Sequence, residues 1–436
     1  MKDAKHLDKE ATIAVLGLGF VGLPLSVMLA EKGFNVTGID LDPRKLASIN
    51  SFKSYIDDIS SERLTNVMKA NRFRVTDDFD RLEDVKNIII CVPTPLTADK
   101  NPDLTFVNSA GEEIQKRLKK GHLVVLESST FPGTTKEVLL PILEKSGLKA
   151  GSDFFLANSP ERIDPGNETY RVDQIPKVLG GITPACAEAA FDIYDKIYDK
   201  VVLVSSAEAA ELTKLLENTF RFINISFINE IAMLCEHLGV DIWEVIGAAS
   251  TKPYGFTPFY PGPGIGGHCI PVDPLYLQWK LGQYSTVSEF IHLSDEINER
   301  MVHYIVRYTK QLLQAEGKDA SPKVLVYGVT YKKDVADTRD SKALEIMEEM
   351  KAEGMDVYYH DPLIPSLRIQ NDLLTSSSLT DQLLSDMDAV VILTDHSSIP
   401  LQQILDHSSI IFDTRNITRG RSSVGKVVRL GEGKKI

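Results

Sequence analysis

The chain has 436 residues, 43% of them hydrophobic and 25% charged, proportions typical of a globular protein of two or three domains. Its 61 acidic and 48 basic side chains give a net charge of −13, which argues against nonspecific binding to nucleic acid or to an anionic membrane. Four cysteines in a spacing unlike a disulfide framework or a zinc site, and no apolar secretory or membrane-spanning run, predict a reduced, cytoplasmic protein without membrane insertion or a metal.

Strand patterns alternate with helical patterns through the first half of the chain. The strand candidates are TIAVL at 12–16, FNVTGID at 34–40, NIIICV at 87–92, HLVVLES at 122–128 and DFFLANS at 153–159. Strands separated by helical segments are typical of a parallel, doubly wound sheet. The sequence therefore predicts a Rossmann-like α/β domain over 1–205.

The second half of the chain predicts a long helix and then another α/β domain. Residues 208–238 contain neither Gly nor Pro, have apolar residues at helical spacing and stop at Gly239, which predicts a helix of roughly 45 Å. With further helical sequence, this segment predicts a helical middle domain over 206–316 that can offer a surface for dimerisation. Strand-like runs that begin with KVLVYGV at 323–329 predict a second Rossmann-like domain over 317–436.

A glycine motif comes directly after the first predicted strand. The run GLGFVG at 17–22 allows a tight turn and the close approach of a pyrophosphate to a helix N-terminus, and Asp40 at the end of the next strand can accept hydrogen bonds from ribose hydroxyls. Asp40 would repel a 2′-phosphate, so NAD is favoured over NADP, although Lys45 lies nearby. A glycine turn without a ligand is the alternative. The candidate cofactor residues of the turn are Gly17, Gly19, Phe20, Val21 and Gly22.

Polar loops come after the next two strands. Pro93 and Thr94 lie in CVPTP, and Thr130 ends the run Ser-Ser-Thr. Because ligands of open α/β sheets sit beyond the carboxyl ends of the strands, both loops are placed to touch a cofactor or a substrate. Ordinary turn formation is the alternative.

Five side chains further along form a candidate catalytic set. Lys214 and Asn218 share one face of the long helix, where they could hold a developing oxyanion or simply face solvent. Cys269 lies in GPGIGGHCIPVDP, where it is either a small apolar residue in a tight turn or a nucleophile that glycines leave accessible. Asp273 could orient a water or the cysteine, and His268 is a less favoured base.

The combined pattern resembles the UDP-glucose/GDP-mannose dehydrogenase family over nearly the whole chain. The motifs that carry the resemblance are GLGFVG, CVPTP, ESSTFPGTT, NSPERIDPG, AAELTKLLENTFRFINISFINE, GPGIGGHCIPVDP and YKKDVADTRDS. The resemblance implies an NAD-binding domain, a helical middle domain and a nucleotide-sugar-binding domain, in a homodimer or a larger assembly. It also implies oxidation of the C6 alcohol of a sugar to a carboxylate, with two hydrides passed to two NAD⁺.

The resemblance assigns roles to individual residues. Cys269 would add to the aldehyde as a thiohemiacetal, lose a hydride as a thioester and be freed by water. Lys214, with Asn218 beside it, would stabilise the oxyanions, and Asp273 and Thr130 would position a water. Glu161 would act as general base, with Arg162 in the same SPER motif. Gly266, Tyr331 and Lys332 would contact the nucleotide sugar. Arg339 would reach the NAD phosphates, and Arg415 would approach the substrate diphosphate.

One motif separates this chain from the UDP-glucose branch of that family. The branch reads roughly NPEFLxEG where this chain has SPERIDPG, so Pro165 replaces a second glutamate. The chain instead resembles the branch that oxidises UDP-N-acetylhexosamines, with Phe256, Phe259 and Tyr260 either lining the sugar pocket or packing at a domain junction. UDP-N-acetylglucosamine is favoured, and UDP-N-acetylgalactosamine, UDP-N-acetylmannosamine and UDP-glucose are the alternatives.

Two other functional classes compete with this one. A two-electron dehydrogenase of hydroxy acids has no use for the thiol of Cys269. An inactive NAD-binding scaffold would be expected to have lost Cys269, Lys214 or Asp273, and all three are present.

Overall fold

The computed structural model describes residues 12–56, 59–97, 99–162, 171–318, 320–370 and 372–434. These residues form two compact units. The first consists of the described residues up to Glu217 together with Leu275–Thr286, and the second of Asn218–Pro274 together with the residues from Val287 onward. The division into three domains at 205 and 316 stays a prediction.

The first unit is built on one large sheet. Its strands are β1 Thr12–Leu16, β2 Asn35–Ile39, β3 Phe73–Thr76, β4 Asn87–Ile90, β5 Leu123–Leu126, β6 Phe155–Asn158, β7 Lys177–Gly181 and β8 Val201–Leu203. Their spatial order is β3-β2-β1-β4-β5-β6-β7-β8, and the pairs are parallel apart from β6 with β7. The five strands predicted from the sequence are confirmed, whereas β3, β7, β8 and the antiparallel pair were missed.

Apolar side chains cover both faces of this sheet. Along β1, Ile13 and Val15 pack into one buried cluster and Ala14 and Leu16 into another. A strand buried on both faces reads as a continuous apolar run, which is why TIAVL was recognisable. The helices that flank the sheet are α1 Gly22–Glu31, α2 Pro43–Asn50, α3 Ser61–Lys69, α4 Thr105–Arg117, α5 Leu140–Glu144 and α6 Pro184–Tyr194.

The predicted long helix is confirmed as α7, Ala207–Leu238, with 32 residues. It ends before Gly239, whose φ of +68° is favourable for glycine. A shorter helix α8, Ile242–Ala249, comes next, and then α9, Asp273–Gly282. Both α7 and α9 are divided between the two units.

The second unit contains a smaller parallel sheet and the helix α10, Glu289–Ala315. Its further elements are β9 Lys323–Tyr327, α11 Lys342–Ala352, β10 Asp356–His360, β11 Ser366–Ile369, β12 Asp372–Thr375, α12 Asp381–Asp386, β13 Ala389–Ile392, α13 Leu401–His407, β14 Ile410–Asp413 and β15 Lys426–Arg429. The parallel order is β10-β9-β13-β14-β15, and β11 and β12 form a separate antiparallel pair. The fold class of two Rossmann-like sheets and intervening helices is confirmed.

Two features are absent from the described residues. No helix among them is long and apolar enough to cross a membrane. Nor do these residues contain a group of three His, Cys, Asp or Glu side chains arranged to hold a metal ion.

Candidate active site

Three glycines shape the turn between β1 and α1. Gly17 has a φ of +89°, and a Cβ there would lie 2.6 Å from the carbonyl oxygen of the residue after β4. A Cβ at Gly22 would overlap the carbonyl of Gly17, whereas a Cβ at Gly19 would meet no atom within 4 Å. Phe20 and Val21 lie in the same turn, just before α1. The middle glycine leaves open backbone where a pyrophosphate can approach the helix N-terminus, so the turn fits a dinucleotide.

Asp40 is fixed beside this turn. Its Oδ2 accepts hydrogen bonds from the backbone N–H of Leu18 and from Lys45 Nζ, both at 2.8 Å, and its Oδ1 accepts from the N–H of Asp42 at 2.9 Å. The carboxylate therefore closes the turn in addition to being available to a ribose. Lys45, which bore on the choice between NAD and NADP, is paired with Asp40.

The loops after β4 and β5 are bonded to each other, as their position at one edge of the sheet predicted. Thr94 Oγ1 donates to the carbonyl of Ser129 at 2.7 Å, and the Thr94 carbonyl accepts from the hydroxyl of Tyr276. Pro93 is exposed beside Thr94. Thr130 is 3% exposed, and its hydroxyl is buried without a hydrogen-bond partner among the described residues. That hydroxyl is available to a ligand or a water.

The beginning of α7 is tied to the same loops. Lys214 is 8% exposed and its Nζ donates to Ser129 Oγ. One turn earlier, Glu211 accepts hydrogen bonds from the backbone N–H groups of Gly133 and Thr135 at 2.6 and 2.8 Å. Burial raises the pKa of Glu211 to about 7. The narrow cleft formed here is lined by Ser128, Ser129, Thr130, Asn158, Pro160 and Lys214.

Glu161 lies just after β6 and is 6% exposed. Its Oε2 accepts from Lys177 Nζ at 2.7 Å, and its Oε1 accepts from the backbone N–H of Arg162 at 2.6 Å. Arg162 itself forms a bidentate ion pair with Glu217, at 2.5 and 3.0 Å. Pro165 lies outside the described residues.

In the second unit, Cys269 differs from the other three cysteines in its exposure. Cys91, Cys186 and Cys235 are buried, whereas Cys269 is exposed in the glycine-rich loop before α9. Of these thiols, Cys269 alone is open to a reagent from solvent, which favours the nucleophile over the small apolar turn residue.

Buried amides anchor the loop that carries Cys269. Asn229 on α7 accepts from the N–H of Gly262 at 2.9 Å. Asn298 on α10 accepts from the N–H of Ile265 at 2.6 Å and donates to the carbonyl of Ile265 at 3.1 Å. The loop conformation is therefore fixed from two helices of the second unit.

The glycines next to Cys269 permit close packing of that loop. A Cβ at Gly266 would lie 2.5 Å from the carbonyl oxygen of Asp340, and a Cβ at Gly267 would lie 2.6 Å from the ring of Tyr331. Tyr331 and the adjacent Lys332 are half-buried. The predicted substrate residues of the YKKD motif thus lie against the predicted nucleophile loop.

Asn218 and Asp273 are brought together. Asn218 Nδ2 donates to Asp273 Oδ2 at 2.6 Å, and both side chains are buried. The backbone N–H of Asp273 donates to the carbonyl of Cys269 at 2.9 Å, so this pair is fixed at the loop's end. His268 instead faces Asp340, with 3.8 Å between Nδ1 and Oδ2, and the nearby imidazole lowers the pKa of Asp340.

The two predicted phosphate-binding arginines have different surroundings. Arg339 forms a bidentate pair with Asp337, and this hydrogen bonding raises the pKa of the guanidinium. Cys269 contributes to the shift in the same direction, so Arg339 is within electrostatic reach of the thiol. Arg415 Nε donates to the carbonyl of Leu393 at 2.7 Å.

The predicted aromatic loop packs partly on helices of its own unit. Phe259 makes an edge-to-face contact with Phe220 on α7, with 5.7 Å between the ring centroids. Tyr260 stacks on Trp243 of α8 at 6.0 Å, and Phe256 is 39% exposed. Packing therefore accounts for Phe259, whereas Phe256 and Tyr260, which is 57% exposed, are open to a ligand.

Several residues of the site could not be recognised from the sequence. Glu211, Asn229 and Asn298 are ordinary polar residues of helical sequence, and only the fold reveals what they bind. Lys177 was not recognisable either, because it begins a strand whose complete burial only the structure reveals. Glu127, which pairs with Lys177, directly precedes the Ser-Ser-Thr run.

The parallel sheet and its glycine turn define the first unit as a dinucleotide-binding α/β unit. Three models of the UDP-glucose/GDP-mannose dehydrogenase family match the chain: the NAD binding domain over 11–198, the central domain over 208–300 and the UDP binding domain over 325–420. The chain belongs to this family. It is an NAD-dependent nucleotide-sugar 6-dehydrogenase, and the predicted family, oxidoreductase activity and NAD cofactor are confirmed.

Its relatives act on different sugars. The chain is 37% identical to the UDP-N-acetyl-D-glucosamine 6-dehydrogenase of Pseudomonas aeruginosa, over 82% of this chain and 84% of that protein. It is 32% identical to an NDP-N-acetyl-D-galactosaminuronic acid dehydrogenase of Ralstonia solanacearum, over 93% and 96%. A solved structure of UDP-D-ManNAc dehydrogenase from Pyrococcus horikoshii superposes with a TM-score of 0.88 at 32% identity, over 97% and 99%. The similarity therefore supports a nucleotide sugar as the class of substrate and leaves the particular sugar undecided.

Proposed function

We propose that this protein oxidises the C6 hydroxyl of a UDP-N-acetylhexosamine, with UDP-N-acetylglucosamine as the first candidate, to the uronic acid through a thiohemiacetal and a thioester on Cys269. The observation that carries the proposal is the exposed thiol of Cys269 in a loop fixed by Asn229 and Asn298. Oxidation of an alcohol to an aldehyde needs no thiol. A second hydride can leave only after a nucleophile has added to the aldehyde.

The first unit supplies the cofactor site. The open backbone at Gly19 would face the pyrophosphate, and Asp40 would accept hydrogen bonds from the ribose while Lys45 keeps its ion pair. When bound there, NAD⁺ would supply the hydride acceptor for each of the two oxidations. Arg339 is the proposed partner of the cofactor phosphates.

The covalent steps of the proposed reaction take place at the sulfur of Cys269. Its thiolate attacks the C6 aldehyde, a C–S bond forms, and the resulting oxyanion is protonated. Loss of a hydride from C6 and of the hydroxyl proton leaves the thioester. A water then adds, the C–S bond breaks, the carboxylic acid is released and the thiolate is restored. Glu161 takes the proton of that water as general base.

The remaining side chains are assigned to binding and charge stabilisation. Lys214 and Asn218 stabilise the oxyanions that form when the thiolate and the water attack, because fixed donors are most effective where charge develops. Asp273, bonded to Asn218, and the partnerless hydroxyl of Thr130 position the water. Tyr331, Lys332, Arg415, Arg162, Gly266 and the aromatic loop with Phe256, Phe259 and Tyr260 are proposed to bind the UDP-sugar.

A panel of four nucleotide sugars tests this function. The purified enzyme is given NAD⁺ with UDP-N-acetylglucosamine, UDP-N-acetylgalactosamine, UDP-N-acetylmannosamine or UDP-glucose, and the uronic acid is quantified by mass. We expect one N-acetyl sugar to have a kcat/KM at least about tenfold above UDP-glucose, the discrimination that one lost polar contact produces. Preference for UDP-glucose would refute the proposed substrate class.

A further inference from the structure

Three ionisable side chains meet in the interior of the first unit. Lys177 Nζ lies 2.7 Å from Glu127 Oε2 and 2.7 Å from Glu161 Oε2, and the exposed fractions of the three side chains are 3%, 0% and 7%. Replacing a buried ion cluster by apolar residues often stabilises a protein, so stability alone is a weak reason to retain one. One member, Glu161, is the general base of the proposed function, which suggests a role for the cluster in that step.

We propose that Lys177 is a positioning residue for Glu161, which it holds ionised and in one orientation, and that Glu127 shares the lysine and sets how strongly it acts. This inference rests on the proposed function, because it takes Glu161 as the base that accepts a proton from water.

The orientation of Glu161 is fixed at both oxygens. Oε2 accepts from Lys177 Nζ, and Oε1 accepts from the backbone N–H of Arg162 at 2.6 Å. Two fixed points determine the plane of the carboxylate, and a base held in one plane is in position before the water arrives.

The charge of Glu161 is set by opposing effects. Burial alone would raise its pKa. The ammonium of Lys177, the charge of Lys214 on α7 and the N–H of Arg162 together outweigh burial, so the pKa is lowered. Glu161 therefore remains a carboxylate in an interior where an unpaired acid would take up a proton.

Glu127 behaves in the opposite way. Burial raises the pKa of Glu127, and the charge of Glu161 acts in the same direction despite the shared Lys177. The hydroxyl of Tyr194 donates to Glu127 Oε1. Among the described residues, Tyr198 and Cys91 also face the cluster, and burial raises the pKa of each, so both stay neutral. Lys177 thus divides its attraction between one carboxylate that stays ionised and another that is easily protonated.

The test is the pH dependence of kcat in two variants with different expected shifts. A base must be ionised to act, so kcat falls on the acid side as Glu161 takes up a proton. Lys177→Met removes the compensating charge, and we expect the acid limb to move up by at least about one pH unit, a tenfold loss of kcat on that limb. Glu127→Gln mimics the protonated form that Glu127 already has on the acid limb, so the limb should stay within about 0.3 pH units of its wild-type position. KM for the UDP-sugar should change less than about twofold, because Lys177 acts on the base.

Rescue and control variants separate positioning from a merely structural role. Lys177→Arg keeps the charge and should return the limb toward its wild-type position. Lys136→Met is the control, because Lys136 is 60% exposed and pairs with Glu208. If Lys177→Met does not fold, Lys177→Gln carries the test, since it keeps a hydrogen-bond donor without the charge and should also move the limb up. Reduced thermal stability without any shift of the limb would overturn the proposal.

Glu161→Gln, measured alongside, distinguishes the positioning role from the base assignment on which it rests. If it retains wild-type turnover, the base assignment in the proposed function is wrong and the positioning proposal falls with it. If it loses turnover and accumulates a sugar adduct on Cys269, detected by intact mass, the base is established. In that case, an unshifted limb in the uncharged Lys177 variants would overturn the positioning role alone.

Discussion

The turn after β1 and the turn after β9 share one backbone arrangement. A glycine with positive φ comes directly after each strand, Gly17 at +89° after β1 and Gly328 at +82° after β9. An aspartate comes directly after the neighbouring parallel strand, Asp40 after β2 and Asp361 after β10. In both, the N–H of the residue after the glycine donates to this carboxylate, at 2.8 and 2.7 Å. The glycine N–H donates to the end of the neighbouring strand at 2.8 and 2.9 Å.

The two turns differ in the surroundings of the acid and in the segment that comes after the glycine. Asp40 pairs with Lys45, which is 30% exposed, and α1 begins directly after the turn. Asp361 instead lies 3.1 Å from His396, and both side chains are fully buried. A long loop separates Gly328 from α11, and this loop carries the predicted substrate residues. The same backbone arrangement thus forms a turn suited to a dinucleotide in the first unit and a turn with a fully buried aspartate in the second.

NAD binding belongs to the first unit, and the proposed function puts the covalent chemistry on the Cys269 loop of the second. Cys269→Ser should therefore lower turnover by at least about 1,000-fold, because the second oxidation loses its nucleophile. Binding of NAD and of the UDP-sugar, measured by calorimetry, should be unchanged. Cys235→Ser, at a buried thiol, is the control. Full activity in Cys269→Ser would contradict the nucleophile assignment.

Lys214→Ala tests whether the first unit also takes part in the chemistry, since this residue of the first unit is assigned to the oxyanions. We expect kcat to fall at least about 100-fold, as for the loss of one preorganised oxyanion donor. Lys136→Ala removes an exposed lysine and should have no effect. A loss confined to KM would make Lys214 a binding residue.

Asp40→Ala tests the glycine turn after β1, which is proposed to bind NAD. We expect the Kd for NAD to rise about 10- to 100-fold, because hydrogen bonds to a charged group contribute about 1.5–3 kcal/mol. Asp80→Ala, at an exposed acid, provides the matched control. An unchanged Kd in a folded variant would refute the ribose assignment.

Asp361→Asn tests the turn after β9 and should lower the stability of the protein without changing its affinity for NAD. Burial raises the pKa of Asp361, but the hydrogen bonds from His396 and from backbone N–H groups outweigh it, and the pKa is lowered. Its stabilising contribution is then present above the unfolded pKa, about 3.9, and is lost as pH falls through the lower folded value.

We expect the free energy of unfolding to be about 1–3 kcal/mol lower in Asp361→Asn at pH 7, and this difference to shrink below about pH 4. Urea denaturation over a pH series measures both quantities. Asp372→Asn, at an exposed acid, should show neither effect. A difference independent of pH would show that the charge of Asp361 is not what stabilises the turn.

Sequence reasoning succeeded where the signal is local. The run TIAVL is apolar because β1 is buried on both faces, and α7 was visible because its sequence lacks Gly and Pro up to Gly239. Placing Lys214 and Asn218 on one helix was also local. Their partners, Ser129 and Asp273, are distant in the chain, so their hydrogen bonds depend on tertiary packing.

The missed elements depend on long-range packing. β7 begins with a lysine and ends with two glycines, a weak strand pattern that is compensated by complete burial. The role of Lys177 depends on carboxylates at the ends of two other strands. Glu211 and Asn298 likewise acquire partners only when loops fold onto their helices.

The stoichiometry of NADH decides whether the thiol of Cys269 carries a second oxidation. The purified enzyme is given a limiting amount of its preferred UDP-N-acetylhexosamine with excess NAD⁺, and the NADH formed is divided by the sugar consumed. We expect two NADH for each sugar, with the uronic acid as the product. One NADH for each sugar, with the aldehyde as the product, would contradict the role of Cys269 in a second oxidation.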